Sequence, residues 1–220
     1  MRARICVFAS GAALALMAAG VGLAAGQYRT TTAGQRVVIV GCSNSSLIAK
    51  AYDFASSRHD VLNAAQGTYD LSIWATNKAF TTPSMAGQSN TPFDTLLAMD
   101  GQPVAVWYPV CIGAKTFTGT TAQRQRAAWA AFQSFLVLLR QRTQAPLWVT
   151  DTIGAQPSCI DDQELMTFVV DRAVQQGLAQ RSSPDIPPAS APDANHCHFD
   201  PAASSNVGQA AAAFIDGTFR

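Results

Sequence analysis

Arg36-Val37-Val38-Ile39-Val40-Gly41-Cys42-Ser43-Asn44 is the stretch that decides the reading of this chain. Four apolar β-branched residues in a row form a strand buried on both faces, and Gly41 ends it in a tight turn. Leu47, Ile48, Ala51 and Ala55 then follow at helical spacing, which predicts a helix beginning near Ser45. A strand, a sharp turn and a helix in this order present Ser43 beside a helix N-terminus, where backbone N–H groups and the positive end of the helix dipole lie. The same pattern also fits Ser43 or Ser45 acting only as a helix cap.

Outward from this unit, strand and helix signals alternate. Val61-Leu62 reads as a second strand, running into the Asn63 to Gly67 turn, and Pro103 to Val110 reads as a third. Gln123 to Arg142 is an amphipathic helix with Trp129, Phe132, Leu136 and Leu139 on one face. Leu147 to Thr150 is a fourth strand. Asp162 to Gln176 is a helix stopped by Gly177, and Ser204 to Phe214 is the last helix. Alternation of this kind implies an α/β fold: a three-layer α/β/α sandwich around a small, mostly parallel, flavodoxin-like sheet. Such sheets bind ligands at the carboxyl ends of their strands, so Ser43, Gln66-Gly67 and Ile112-Gly113 are expected on one rim. Thr81 to Asp94 and the proline-bearing Arg181 to Asn195 read as loop and extended connector.

The first 26 residues read as a secretory signal: Arg2 and Arg4, an uncharged apolar stretch from Ile5, and small residues at Ala24-Ala25-Gly26. An uncleaved membrane anchor is the alternative, since the stretch is long enough to span a bilayer. Residues 27–35 form a spacer, and 36–220 a single domain. Loss of Arg2 and Arg4 turns the formal charge of +1 into −1. A near-neutral exported domain carries no basic footprint for nucleic acid and no polybasic patch for a membrane surface. A secreted or periplasmic monomer is expected.

Cys6 departs with the signal and leaves Cys42, Cys111, Cys159 and Cys197. In an oxidising compartment an even count suggests two disulfides with three pairings, against four buried free thiols. If the first and third strands are neighbours, Cys42 and Cys111 end side by side, which favours Cys42–Cys111 and Cys159–Cys197.

Asn195-His196-Cys197-His198-Phe199-Asp200 holds two of the three histidines. A serine at a strand tip and a late histidine are the two halves of a nucleophilic hydrolase. Here the chain resembles a known family. Gly41-Cys42-Ser43-Asn44 resembles the first block of the SGNH (GDSL-type) hydrolases, with Cys42 where the usual pattern has Asp. Asn63-Ala64-Ala65-Gln66-Gly67 ahead of Trp74 is similar to the second block, and Cys197-His198-Phe199 to the last. The resemblance implies a serine esterase without a cofactor, acting on an acylated carbohydrate or small ester. Ser43 would be the nucleophile, His198 the base and Asp193 its orienting group, with Gly67 in the oxyanion hole. His196 is the alternative base, because Asp193 lies three residues before it, whereas Asn195 lies three before His198.

The oxyanion-hole Asn of the third block is missing from Cys111-Ile112-Gly113-Ala114-Lys115, so Asn44 or Asn63 would have to stand in. Gly87-Gln88-Ser89-Asn90 is similar to the nucleophile turn of sialate O-acetylesterase-type members and makes Ser89 a second candidate, although no apolar strand precedes it. His196, His198, Asp200 and Cys197 could also be read as metal ligands. A proline-rich flank and one further histidine, His59 in a polar stretch, offer that reading little support. An O-acetyltransferase using the same acyl-enzyme and a non-catalytic glycan-binding relic are the rival functions.

Overall fold

The computed structural model describes residues 36–65, 69–78, 91–97, 101–151, 162–182 and 201–219. Five parallel strands form one sheet: β1 (Arg36–Ile39), β2 (Asp60–Asn63), β3 (Ala105–Val110), β4 (Leu147–Asp151) and β5 (Gln180–Arg181), in the order β2-β1-β3-β4-β5. The helices are α1 (Ser43–Ala55), α2 (Leu71–Thr76), α3 (Asp94–Leu97), α4 (Thr121–Arg140), α5 (Gln163–Gln175) and α6 (Pro201–Thr218). The expected three-layer α/β/α sandwich is present, and all of its described strand pairs are parallel.

Strand alternation divides the core in two. Val38, Val40, Val106, Tyr108, Val110, Leu147 and Val149 pack against α2, α4 and α5. Val37, Ile39 and Trp107 face α1 and α6, with Trp148 partly buried beside them. A strand covered on both sides needs apolar residues at successive positions, which is why β1 and β3 read as continuous runs. On α4 the buried set is Ala128, Trp129, Phe132, Phe135 and Leu139. Phe135 therefore takes the central place that periodicity assigned to Leu136, which is only partly buried.

Pro109 lies inside a central strand, where a missing N–H ordinarily breaks a ladder. Odd-numbered residues of β3 direct their backbone groups toward β1, as the 3.0 Å bond from Val40 N to the Trp107 carbonyl shows. The β1–β3 register ends at Ile39 opposite Trp107, so the place of the absent N–H lies past the end of β1. No ladder bond is lost there.

Termini follow the local chemistry of the sequence. Thr120 and Gln123 form a reciprocal capping box at the start of α4, Asp162 caps α5, and Asp70 caps α2. After α5, Gly177 adopts φ 68°, with Gly177 N on the Val174 carbonyl and Leu178 N on that of Ala173, a Schellman closure.

Helices α1 and α6 run side by side in the same direction. Gly208 packs on Ala51, where an added Cβ would lie 2.4 Å from the Ala51 carbonyl oxygen, and eight residues later Asp216 reaches Tyr52 and Ser56. Followed back toward its start, α6 therefore begins level with the first turn of α1, at the carboxyl rim of the sheet.

Several expectations are corrected. Helix α1 starts at Ser43, not near Ser45, because Cys42 is already the extended N-cap residue. Helix α6 runs from Pro201 to Thr218, beyond both expected ends. Short α2, α3 and β5 were not foreseen; β5 has no apolar pattern and exists through its pairing with β4. His59 lies in its polar stretch but is itself buried, immediately before β2 and so at the opposite end of the sheet from the rim. It is out of reach of any site built there.

Candidate functional site

The rim at the carboxyl ends of β1, β2 and β3 is built around one turn. Gly41 adopts φ +136°, and a Cβ on it would lie 2.2 Å from Ser45 Oγ and 3.0 Å from the Pro109 carbonyl oxygen. Only glycine fits this position on both counts. The indole Nε1 of Trp74 donates to the Gly41 carbonyl at 3.2 Å, and Ser45 Oγ donates to that of Pro109 at 3.3 Å. Trp74 is itself held edge-on by Tyr69, Phe93 and Phe135 at ring separations of 5.8, 5.1 and 6.2 Å. The second sequence block thus supports the first through a specific hydrogen bond.

Ser43 is the first residue of α1 and is partly exposed. The N-terminus behind it differs from those of α2, α4 and α5 in that Cys42 makes no side-chain cap hydrogen bond; like α2 and α4, it holds no acidic residue in its first turn. A Ser, Thr or Asp at the N-cap would accept from the N–H of the second or third helical residue, and a carboxylate would offset the dipole. At α1 neither is present.

Cys42 instead forms a disulfide with Cys111, with a Cα–Cα distance of 6.0 Å, as the adjacency of the first and third strands implied. The β3 end it reaches is well held. The Cys111 carbonyl accepts from Leu71 N at 2.9 Å, and the Ile112 carbonyl from Asp162 N at 2.8 Å. Nearby, Asp70 accepts from Ser72 and Thr116. Burial, reinforced by the charge of Asp70, holds the Tyr108 phenol well above its ordinary pKa, so it stays neutral.

Asn44 is buried, 4% exposed, and its Oδ1 has no hydrogen-bond partner. Asn63 ends β2, donating from Nδ2 to Ser46 Oγ at 2.9 Å and accepting from Ala65 N at 3.1 Å. It ties β2 to the first turn of α1 with one amide hydrogen committed. Gly67, Ser89, Cys159, Asp193, His196, Cys197 and His198 lie outside the described residues. Among the described residues no cluster of His, Cys, Asp or Glu could hold a metal ion, and no helix is long and apolar enough to cross a membrane.

Reasoning from sequence missed the hydrogen bond from Trp74 to the turn and the absence of a cap on α1. The second had a visible signal, since a cysteine at an N-cap offers no good acceptor. It also missed a polar cluster at the far end of α1. There Asp216 accepts from Tyr52 Oη at 2.8 Å and Ser56 Oγ at 2.6 Å, and His59 Nε2 lies 3.9 Å from it.

No protein-family model and no curated protein matches this sequence. Solved structures do match it in fold. A protein of Bacteroides fragilis NCTC 9343 assigned as an acylhydrolase superposes with a TM-score of 0.54 at 12% identity, covering 91% of this chain and 98% of its own. A family two carbohydrate esterase of Cellvibrio japonicus gives 0.50 at 14% identity over 84% of this chain. An active-site mutant of one from Clostridium thermocellum gives 0.51 at 12% over 86%. The chain spans 63% and 65% of the length of those two esterases. What is shared is the fold, the three-layer α/β/α sandwich, in which function is decided by the site.

Proposed function

We propose that this chain is an exported serine esterase that removes O-acetyl or other short acyl groups from a glycan. The observation that carries the reading is the uncapped, acid-free N-terminus of α1 with Ser43 as its first residue, at the sheet rim where ligands bind. The fold shared with esterases supports it, as does the direction of α6. Helix α6 starts level with the first turn of α1, and His198 lies three residues before its first residue, Pro201, in the sequence.

In this reading the Ser43 hydroxyl attacks the acyl carbon while His198 takes its proton. The N–H groups of Ser43 and Gly67 stabilise the oxyanion, aided by the helix dipole. His198 then protonates the leaving sugar alcohol, and water releases the acyl group by the reverse proton path. Asp193 orients the histidine. His196 is the alternative base, and Ser89 the alternative nucleophile.

The test is acetate release from acetylated polysaccharides and from 4-nitrophenyl acetate. Wild type is expected to be active and Ser43→Ala and His198→Ala inactive, with His196→Ala retaining turnover. Transfer to added sugar hydroxyls in preference to water would make the chain an acyltransferase. Inactivity of a folded wild type on every acyl ester would leave a glycan-binding role.

A further inference from the structure

Resting on the reading of Ser43 as the nucleophile, we infer that the Cys42–Cys111 disulfide positions that serine and makes the site switchable by thiol–disulfide chemistry. Cys42 is the residue immediately before Ser43, and its partner sits at the end of the neighbouring strand. The two sides of the bridge are held very differently. On the β3 side, Cys111 is buried and the carbonyls of Cys111 and Ile112 receive backbone hydrogen bonds of 2.9 and 2.8 Å from the starts of α2 and α5. On the Ser43 side, Cys42 supplies no cap; Trp74 Nε1 reaches the Gly41 carbonyl at 3.2 Å, and Ser45 Oγ of α1 reaches the Pro109 carbonyl of β3 at 3.3 Å. An O–H···O bond of 3.3 Å is longer than the ordinary range and ties α1 to β3 weakly. The covalent bond is therefore the firm link between β3 and the residue before the nucleophile.

Cys42 is partly exposed beside Ser43, so the bond is open to attack from the side on which substrate arrives. A dithiol reductant would donate two electrons and two protons, leaving Cys42 and Cys111 as thiols while the dithiol itself becomes a disulfide. Backbone bonds such as Ser46 N to the Cys42 carbonyl at 3.0 Å remain, but the side-chain tie from α1 to β3 is then the 3.3 Å bond of Ser45. A displacement of the nucleophile near 1 Å suffices to reduce turnover by roughly a hundredfold. Binding elsewhere on the rim is untouched, so the effect falls on kcat and not on KM.

The experiment is to treat the native full chain with dithiothreitol without denaturant and to follow thiols by alkylation and peptide mapping. The rate at which a fluorophosphonate labels Ser43, and kcat and KM on 4-nitrophenyl acetate, are measured in parallel. Expected is a fall in labelling rate and kcat of about tenfold or more that tracks the appearance of Cys42 and Cys111 thiols, with KM within about twofold. Oxidised glutathione should restore both. The Cys42→Ala/Cys111→Ala double variant should show the same loss and no response to either reagent. If reduced protein or a folded double variant labels Ser43 as fast as oxidised wild type, the positioning role is overturned. If oxidised wild type does not label at Ser43, the reading of the nucleophile itself fails, which is a separate result.

Discussion

The two ends of α1 are built by opposite rules. At its C-terminal end polar side chains from distant segments bond one another: Tyr52 and Ser56 donate to Asp216, and Tyr52 Oη also accepts from the His59 amide at 3.0 Å. At its N-terminal end the side chain before Ser43 caps nothing, no acid offsets the dipole, and Asn44 Oδ1 is buried without a partner. A protein that fastens one end of a helix so thoroughly has the means to cap the other. Doing without a side-chain cap costs stability, and in the proposed function the oxyanion completes this helix start. The difference separates a scaffold joint from the proposed site.

Four substitutions or conditions sharpen that contrast. The largest effect belongs to Ser43→Ala, which should reduce ester hydrolysis by about a thousandfold or more while leaving the melting temperature nearly unchanged. Steady-state kinetics and calorimetry check it together, and an equal loss of stability would mean that Ser43 is only structural. Gly41→Ala should destabilise by about 2–4 kcal/mol, because the side chain must meet both a positive φ and Ser45 Oγ at 2.2 Å. Denaturant unfolding measures this, and a neutral result would show that the turn is not rigid.

At the other end, Asp216→Ala should cost about 2 kcal/mol by removing the acceptor of two hydroxyls, yet leave kcat within about threefold at temperatures where the protein is folded. A selective loss of activity would erase the distinction between the two ends. The smallest effect concerns alkaline pH. Burial above all, with Asp216 adding to it, raises the Tyr52 pKa to about 12. The folded state thus holds this proton more tightly than the unfolded chain, whose tyrosine titrates near 10.0. The resulting stabilisation is fully present below pH 10 and is lost as pH rises through about 12. Tyr52→Phe should therefore show a shallower decline of melting temperature over that window. An identical slope would contradict the assignment, since Tyr69 and Tyr108, also raised, contribute equally to both proteins.

What could be read from the sequence was whatever is encoded locally. The apolar run of β1 and Gly41, the Asp162 cap with Gly177 at the other end of its helix, and the pairing of Cys42 with Cys111 all follow from near neighbours and strand order. What escaped depends on contacts between distant segments. Tyr52 and Asp216 are 164 residues apart and meet only because α1 and α6 pack in the same direction. Strand β5 is two residues long, and its Arg181 is held by Asp151 and Asp171 after the chain has folded. Phe135 displaced Leu136 from the core because the ring of Tyr108 lies 4.8 Å away, a contact invisible to helical periodicity. For the site, the serine half followed from strand and turn, and the remaining roles came from resemblance to a family pattern.

The central claim is that Ser43, at the open end of α1, is a nucleophile. Covalent labelling of the full chain with a fluorophosphonate, followed by peptide mapping, tests it most directly. The account predicts label on Ser43, lost in His198→Ala. Label on Ser89, or no label on a well-folded protein, would contradict it.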